Sequence, residues 1–296
     1  MNNIKIPLDI FTKKYVKNEA LEFVRKLGII PKHNTVYYDE GTVKLIIRDP
    51  ARIKPRITAT SSYMIVDTNE YLQSYFYTQK NYSIMNPVLL INNTPVMSLT
   101  PLEIESQYLP IEYAYGDVLV LGLGLGYYIQ KIKDKENVNE ITVVEKNSDV
   151  IKFYNHFFKE DSKIKIVNAD AREIEDYRAD FCFNDIYSVA LSFDDIVRDF
   201  VIINSSNYLD NYFAWTQEAL LFGLLTSQDK PVFSIPYMKP FERWLMQGAP
   251  FLHAIYEFRR KSANSQRISF DRISVHHSEF PKFLTKFPIE KWMSLY

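Results

Sequence analysis

Cysteine is almost missing from this chain. Cys182 stands alone among 296 residues, so no disulfide can form within it. Its setting, the apolar run ADFCFND, marks it as a small buried thiol rather than a nucleophile. No stretch approaches the ~18 consecutive apolar residues of a membrane span, and no charged-then-apolar leader is visible. The expectation is a soluble, cytoplasmic protein with no membrane contact. A surplus of positive charge is missing too: 35 Lys and Arg face 36 Asp and Glu, a net charge of -1. General nucleic-acid binding is not expected of such a balance. His276 and His277 have no carboxylate or thiol at ligand spacing, so no metal site is predicted. No serine stands in a G-x-S-x-G setting, which argues against a hydrolase.

Glycine is scarce, with eight in the whole chain, yet four of them fall within residues 116–128, GDVLVLGLGLGYY. Aromatic residues are plentiful at 15% and read mainly as core filler, Tyr keeping a polar tip.

Residues 12–27 place Val16, Ala20, Phe23, Val24 and Leu27 on one helical face, and Gly28 stops the run. TVYYD, VKLIIRD, RITATSSYMIVD and PVLLIN have the β-branched and aromatic content of strands, and YLQSYFYTQKNYS reads as a helix. The predicted N-terminal unit, residues 1–105, is a small hairpin-rich α+β domain. From 106 to 296 strands alternate with helices: DVLVLG, GYYIQKIKD, EITVVE, SDVIKFYNHFF, KIKIVN, ADFCFND, FDDIVRDFVIINSS and WTQEALLFGLLTS. Such alternation predicts βαβ units, a parallel sheet, and a ligand at the carboxyl ends of its strands. Beyond, PVFSIPY and RISFDRISV read as short strands and FERWLMQ as a helix.

The glycine loop follows a strand and opens a helix, as a nucleotide loop does. A dinucleotide site wants G-x-G-x-x-G, but Tyr127 or Ile129 stands at its third glycine. The pattern present is G-x-G-x-G, Gly122, Gly124 and Gly126, which suits a nucleoside cofactor without a pyrophosphate. Three acids follow at successive strand ends. Glu145, next to Lys146, is placed to accept ribose hydroxyls. Asp170, next to Ala171 in NADA, is placed to accept from an adenine amino group. Asp185 ends FCFND. Each alone is more often a cap or a solvated strand end, Asp170 as the cap of a helix beginning AREI.

Together these residues resemble the class I S-adenosylmethionine-dependent methyltransferases: VLVLGLGLG, VVEKN, NADA and DFCFNDIY stand for the family's four motifs. The resemblance implies α/β architecture, a Rossmann-like seven-stranded sheet behind the small N-terminal domain, and S-adenosyl-L-methionine as cofactor. It implies that Gly122, Gly124 and Gly126 run beside the methionine part, that Glu145 and Lys146 lie at the ribose, and that Asp170 and Ala171 hold the adenine. Asp185 would face the methionine amino group or the reacting centre, with Tyr187 stacking on or hydrogen-bonding the acceptor. The spermidine synthase branch is similar in its β-rich N-terminal domain. VMSLTPLEIESQYLP resembles the lead-in of methyltransferase-like proteins of bacteria and their phages, which nominates Met97, Ser98 and Glu103 for the substrate side. Leu125 replaces the loop aspartate of aminopropyltransferases, and Asp185-Ile186-Tyr187-Ser188 lacks their second acid. Asn184-Asp185-Ile186-Tyr187 also resembles the N-P-P-Y motif of amino-group methyltransferases, without its prolines.

Three functions follow as expectations. The first is methyl transfer to a small-molecule or amine acceptor. The second is another use of the cofactor, as an aminopropyltransferase or a lyase. The third is a non-catalytic descendant that binds partners, for instance as a homodimer through its N-terminal domain.

Overall fold

The computed structural model describes residues 13–32, 34–48, 86–99, 101–187 and 193–215, with short strand segments at 52–54, 59–60, 63–64 and 71–73. The predicted first helix is α1, Lys13–Lys26. Its buried face carries Ala20, Phe23 and Val24, with Leu27 just beyond. The chain then turns at Gly28, whose φ of 68° is a left-handed value that glycine adopts at least cost.

Four strands follow as an antiparallel sheet in chain order: β1 (Thr35–Glu40), β2 (Val43–Arg48), β3 (Asn86–Ile91) and β4 (Thr94–Ser98). Val43, Leu45 and Ile47 alternate inward and are fully buried, the period-2 pattern of a sheet with one covered face. YLQSYFYTQKNYS departs from its predicted helix. Tyr71–Gln73 is a strand paired in parallel with Arg52–Lys54. The β preference of Tyr and a partner strand absent from the local pattern outweigh helical spacing there. Residues 74–83 lie outside the described residues.

Two short helices, α2 (Pro101–Ser106) and α3 (Tyr108–Tyr113), lead to the parallel sheet. Its elements are β5 (Gly116–Leu121), α4 (Tyr127–Ile132), β6 (Val138–Glu145), α5 (Ser148–Phe157), β7 (Ile164–Asn168), β8 (Phe181–Asn184), α6 (Phe193–Ser206) and β9 (Tyr212–Ala214). The strands lie side by side as β7-β6-β5-β8-β9 and every pair is parallel. Strand order therefore reverses between β5 and β8, and this switch point opens a crevice at the carboxyl ends of those two strands. Five strands of the predicted seven lie in the described residues. The expected strands at PVFSIPY and RISFDRISV and the helices at WTQEALLFGLLTS and FERWLMQ lie outside them.

The expected helix at AREI is absent. Asp170 Oδ1 accepts the Arg172 N–H at 3.0 Å and the Glu173 N–H bonds the Asp170 carbonyl at 3.0 Å, closing a turn. Asp176, with φ 63°, then breaks any helical continuation and donates its N–H to Ser206 O on α6. Arg172 clasps the fully buried Asp199 of α6 with two bonds of 2.9 Å. The turn is bent to meet α6.

One apolar core runs through both sheets on a single face: Phe23, Leu45 and Leu89 belong to the cluster that holds Val120, Phe153 and Phe183. The opposite face buries Leu119, Leu121, Val144 and Cys182. Burial pushes the Cys182 thiol well up, so it stays protonated and inert, as expected. No helix among the described residues is long and apolar enough to cross a membrane.

A polar clasp joins the β1–β2 turn to α5. Asn147 Oδ1 caps α5 by accepting the Asp149 N–H at 2.9 Å. Asp149 Oδ2 accepts the Thr42 N–H at 2.9 Å and its hydroxyl at 3.0 Å. These bonds, first the Thr42 N–H and then Lys152, hold the Asp149 carboxyl down at about 2. A depressed carboxyl stabilises above its unfolded value, and that contribution disappears as pH falls toward 2. Asp149→Ala should release the turn, speeding hydrogen exchange at the Thr42 amide on the order of tenfold at neutral pH. Unchanged exchange there would show the clasp to be idle.

Candidate functional site

The glycine loop leaves β5 at the switch point, and each of its glycines is demanded by the chain itself. Gly122 has φ 94°, and a Cβ there would stand 2.4 Å from the carbonyl oxygen of Asp185 as that residue leaves β8. A Cβ on Gly124 would stand 2.4 Å from Met97 Sδ, and one on Gly126 2.6 Å from the Tyr154 ring. The Leu125 N–H points at Met97 Sδ, 3.0 Å away, so a thioether from β4 is seated inside the loop. Gly126, with φ 82°, is the N-cap of α4.

The two tyrosines after the loop explain its departure from the dinucleotide pattern. Tyr127 packs edge-on against Phe23 of α1 with ring centroids 5.7 Å apart, and its hydroxyl donates to Glu19 Oε2 at 2.9 Å. Tyr128 lies 4.2 Å from Phe183 and donates to Pro110 O at 3.0 Å. Glycine at position 127 would empty the contact that seats α1.

Glu145 ends β6 beside the loop. Its Oε2 accepts the Leu123 N–H at 3.0 Å and its Oε1 the Asn147 N–H at 2.8 Å. Each oxygen keeps one lone pair for an outside donor. Asn168 Nδ2 fixes the reversal after β6 by donating to the carbonyls of Glu145 and Lys146 at 2.8 and 3.0 Å, and the Lys146 side chain is exposed. Asp170 stands one strand further along, after β7, with Oδ2 left open by the turn described above. The Ala171 side chain is buried with Leu119 and Val144.

Asp185 follows β8, and the charge of Glu103 on α2 acts on it. Burial, then the Glu103 charge, push the Asp185 carboxyl well above the ordinary carboxylate range. Burial raises Glu103 to about 8, opposed by a hydrogen bond from Gln107. The Gln107 amide nitrogen also reaches Asp185 Oδ2, at 3.4 Å, while its Oε1 is buried with no partner among the described residues. Two like charges so placed do not both ionise at neutral pH. The pair therefore holds at least one proton.

Tyr187 belongs to a different network. Asn184 Nδ2 donates to its hydroxyl at 3.0 Å, and the hydroxyl is bonded in turn to Asp199. Burial and the Asp199 charge push the Tyr187 hydroxyl up, so it serves as a donor rather than a base. Asn184 is fully buried, and its Oδ1 finds no partner among the described residues.

Of the residues nominated from sequence, Met97, Glu103, Gly122, Gly124, Gly126, Glu145 and Asp185 come together at the switch point. Lys146, Asp170 and Ala171 stand along the neighbouring strand ends. Ser98 closes β4 opposite Val88. Gln107, fully buried between the two acids, was not singled out by sequence reasoning. The available signal was its i, i+4 spacing from Glu103.

In sequence, a family profile for the N-terminal domain of Maf glycosyltransferases matches residues 31–169, less than half of the chain. No curated protein matches the chain at a significant level. In structure, the chain is similar to a candidate RNA methyltransferase of Pyrococcus horikoshii, with 18% identity and a TM-score of 0.31, over 38% of this chain and 57% of that one. A conserved protein of Streptococcus pyogenes is similar at 20% identity, TM-score 0.26, over 33% of this chain and 63% of that one. A candidate sarcosine dimethylglycine methyltransferase of Galdieria sulphuraria is similar at 22% identity, TM-score 0.22, over 28% and 32%. The chain thus spans under two thirds of each, and likenesses at these scores carry no function across.

Proposed function

We propose that the chain is an S-adenosylmethionine-dependent transferase, and that the transferred group is a methyl. One observation carries this reading: a glycine loop and the acids Glu145, Asp170 and Asp185 follow strand ends on the carboxyl edge of a parallel sheet, and Glu103 of α2 acts on Asp185 there. An edge so acidic repels phosphates and favours a cofactor bearing a sulfonium, an ammonium and a ribose diol. The donors and acceptors fit. Glu145 keeps two lone pairs for the diol while its other two order the loop. Gln107 Oε1, with no partner among the described residues, offers an acceptor to a cationic group.

When bound, the cofactor supplies a carbon made electrophilic by its sulfonium. The chain's own part is to orient and to exclude water. Glu145 fixes the backbone at Leu123 and Asn147 and would hold the ribose diol with its remaining lone pairs. An ionised carboxylate of Asp185 or Glu103 would take the proton from an acceptor.

The test is calorimetric titration with S-adenosylmethionine and S-adenosylhomocysteine. Micromolar binding by the wild type, and at least about a hundredfold loss in Glu145→Ala from the missing charged hydrogen bonds, is the expected result. Absence of binding by the wild type would overturn the reading.

The Maf profile favours a second reading, in which residues 31–169 form a module of a glycosyltransferase-type protein. A nucleoside diphosphate that binds where S-adenosylhomocysteine does not would select that reading.

A further inference from the structure

We propose that Asn168 is a positioning residue for a ribose: acting through Glu145, it makes the site select a sugar that carries both vicinal hydroxyls. The proposal deepens the reading above by adding a residue to it, and rests on it for the nucleoside that brings the ribose. Asn168 itself need touch no ligand.

Asn168 is the last residue of β7 and stands directly opposite Glu145 in the parallel register. Consecutive carbonyls of an extended strand point to opposite sides, so one short side chain cannot serve two of them. Here a single amide nitrogen donates to the carbonyls of both Glu145 and Lys146, at 2.8 and 3.0 Å. The chain therefore turns between these residues, and Asn168 uses both of its donors on the turn. Its orientation follows from its partners: carbonyl oxygens only accept, so the NH2 end of the amide faces them. The Ala169 N–H adds a third bond, to the Glu145 carbonyl at 3.2 Å.

That turn decides how the carboxylate is held. It brings the Asn147 N–H back onto Glu145 Oε1 at 2.8 Å, while the Leu123 N–H of the glycine loop holds Oε2 at 3.0 Å. Each oxygen is thereby fixed by one backbone donor, and one lone pair of each is left for a ligand. Two adjacent acceptors with a preset direction match a vicinal diol, which offers two adjacent O–H donors. A sugar without those hydroxyls offers none. Loosening the turn leaves the Glu145 charge in place but removes its preset direction, so the diol must then bear the cost of ordering it. Aspartate at position 168 has nearly the same shape and no donor at neutral pH, and it would set oxygen against two carbonyls.

The experiment titrates the full chain calorimetrically with S-adenosylhomocysteine and with its 2′,3′-dideoxy form, and follows hydrogen exchange at the Asn147 amide without ligand. Wild type should prefer the diol at least about tenfold. Asn168→Ala should lose about tenfold in affinity for S-adenosylhomocysteine but less than about twofold for the dideoxy form. Its Asn147 amide should exchange on the order of tenfold faster. Because the side chain is exposed, its melting temperature should stay within about 4 °C of wild type. Asn168→Asp should lose at least as much affinity for the diol. In a Glu145→Ala background, Asn168→Ala should cost less than about twofold, since the carboxylate it acts through is gone. Equal loss for both ligands, an undiminished loss without Glu145, or unchanged Asn147 exchange overturns the proposal. If Asn168→Asp fails to fold, Asn168→Ala decides. A wild type that binds neither form sinks the previous reading, and Asn147 exchange then decides alone whether Asn168 sets the carboxylate.

Discussion

Gly122→Ala should lower stability by roughly 3 kcal/mol or more, a fall of about 5–10 °C in melting temperature for a chain of this size. Two costs add. The φ of 94° lies where L-residues are strained, at about 1–3 kcal/mol. The new methyl would also lie 2.4 Å from the Asp185 carbonyl oxygen, which is backbone held on both sides. The Asp185 N–H bonds Leu121 O at 2.8 Å, and the Gly122 N–H bonds Val144 O at 2.9 Å. Neither strand end can retreat without breaking its ladder. Gly124→Ala meets the sulfur of a flexible side chain instead, and Met97 can swing aside. Gly28→Ala is the control: φ is 68°, with nothing within 4 Å of the added carbon, so only about 1 kcal/mol is at stake. Thermal denaturation of the three variants should rank them Gly122, then Gly124, then Gly28. Equal melting of Gly122→Ala and Gly28→Ala would falsify the collision.

Glu103→Gln should stabilise the protein above pH 8 while leaving it unchanged near pH 5. Burial lifts the folded-state carboxyl to about 8 from its ordinary 4.5, and Asp185 is raised in the same sense. A raised group contributes its full stability below its unfolded value and loses it as pH climbs through the folded one. Wild-type stability should therefore decline between about pH 5 and pH 9. Removing Glu103 deletes one charge and frees Asp185 from its neighbour, which flattens the decline. A gain of about 5 °C in melting temperature at pH 9 is the expected size. Melting curves at pH 5, 7 and 9 that run parallel for wild type and variant would show the acids to be uncoupled. Asp149 acts in the opposite direction and only toward pH 2, so the two effects separate cleanly.

The alternation of strands and helices from 116 onward was legible because buried parallel strands read as apolar runs and their helices as amphipathic ones. The loop and its acids were legible because strand ends are where such folds carry function. Four things were not. Tyr71–Gln73 pairs with Arg52–Lys54 across 16 intervening residues, and local spacing is blind to a partner strand. Met97 meets Leu125 across 28 positions, and nothing in VMSLT announces a thioether aimed at an amide. Gln107 was not singled out, because only the fold brings it to both Glu103 and Asp185. The role of Tyr187 was hidden for a related reason, since its partner Asp199 comes from α6, beyond a turn the sequence reads as helix.

Tyr127 bears on how this chain could have been assembled. Its ring fills the gap between α4 and α1, Glu19 receives its hydroxyl, and Lys131 of α4 pairs with the same carboxylate at 2.9 Å. A residue of the glycine-loop helix thus serves as mortar for the amino-terminal helix. Swapping the front of the chain for another would strand an aromatic face and a buried acid at the seam. The two parts are bound to change together, and the glycine loop can be transplanted only with the helix that leans on it.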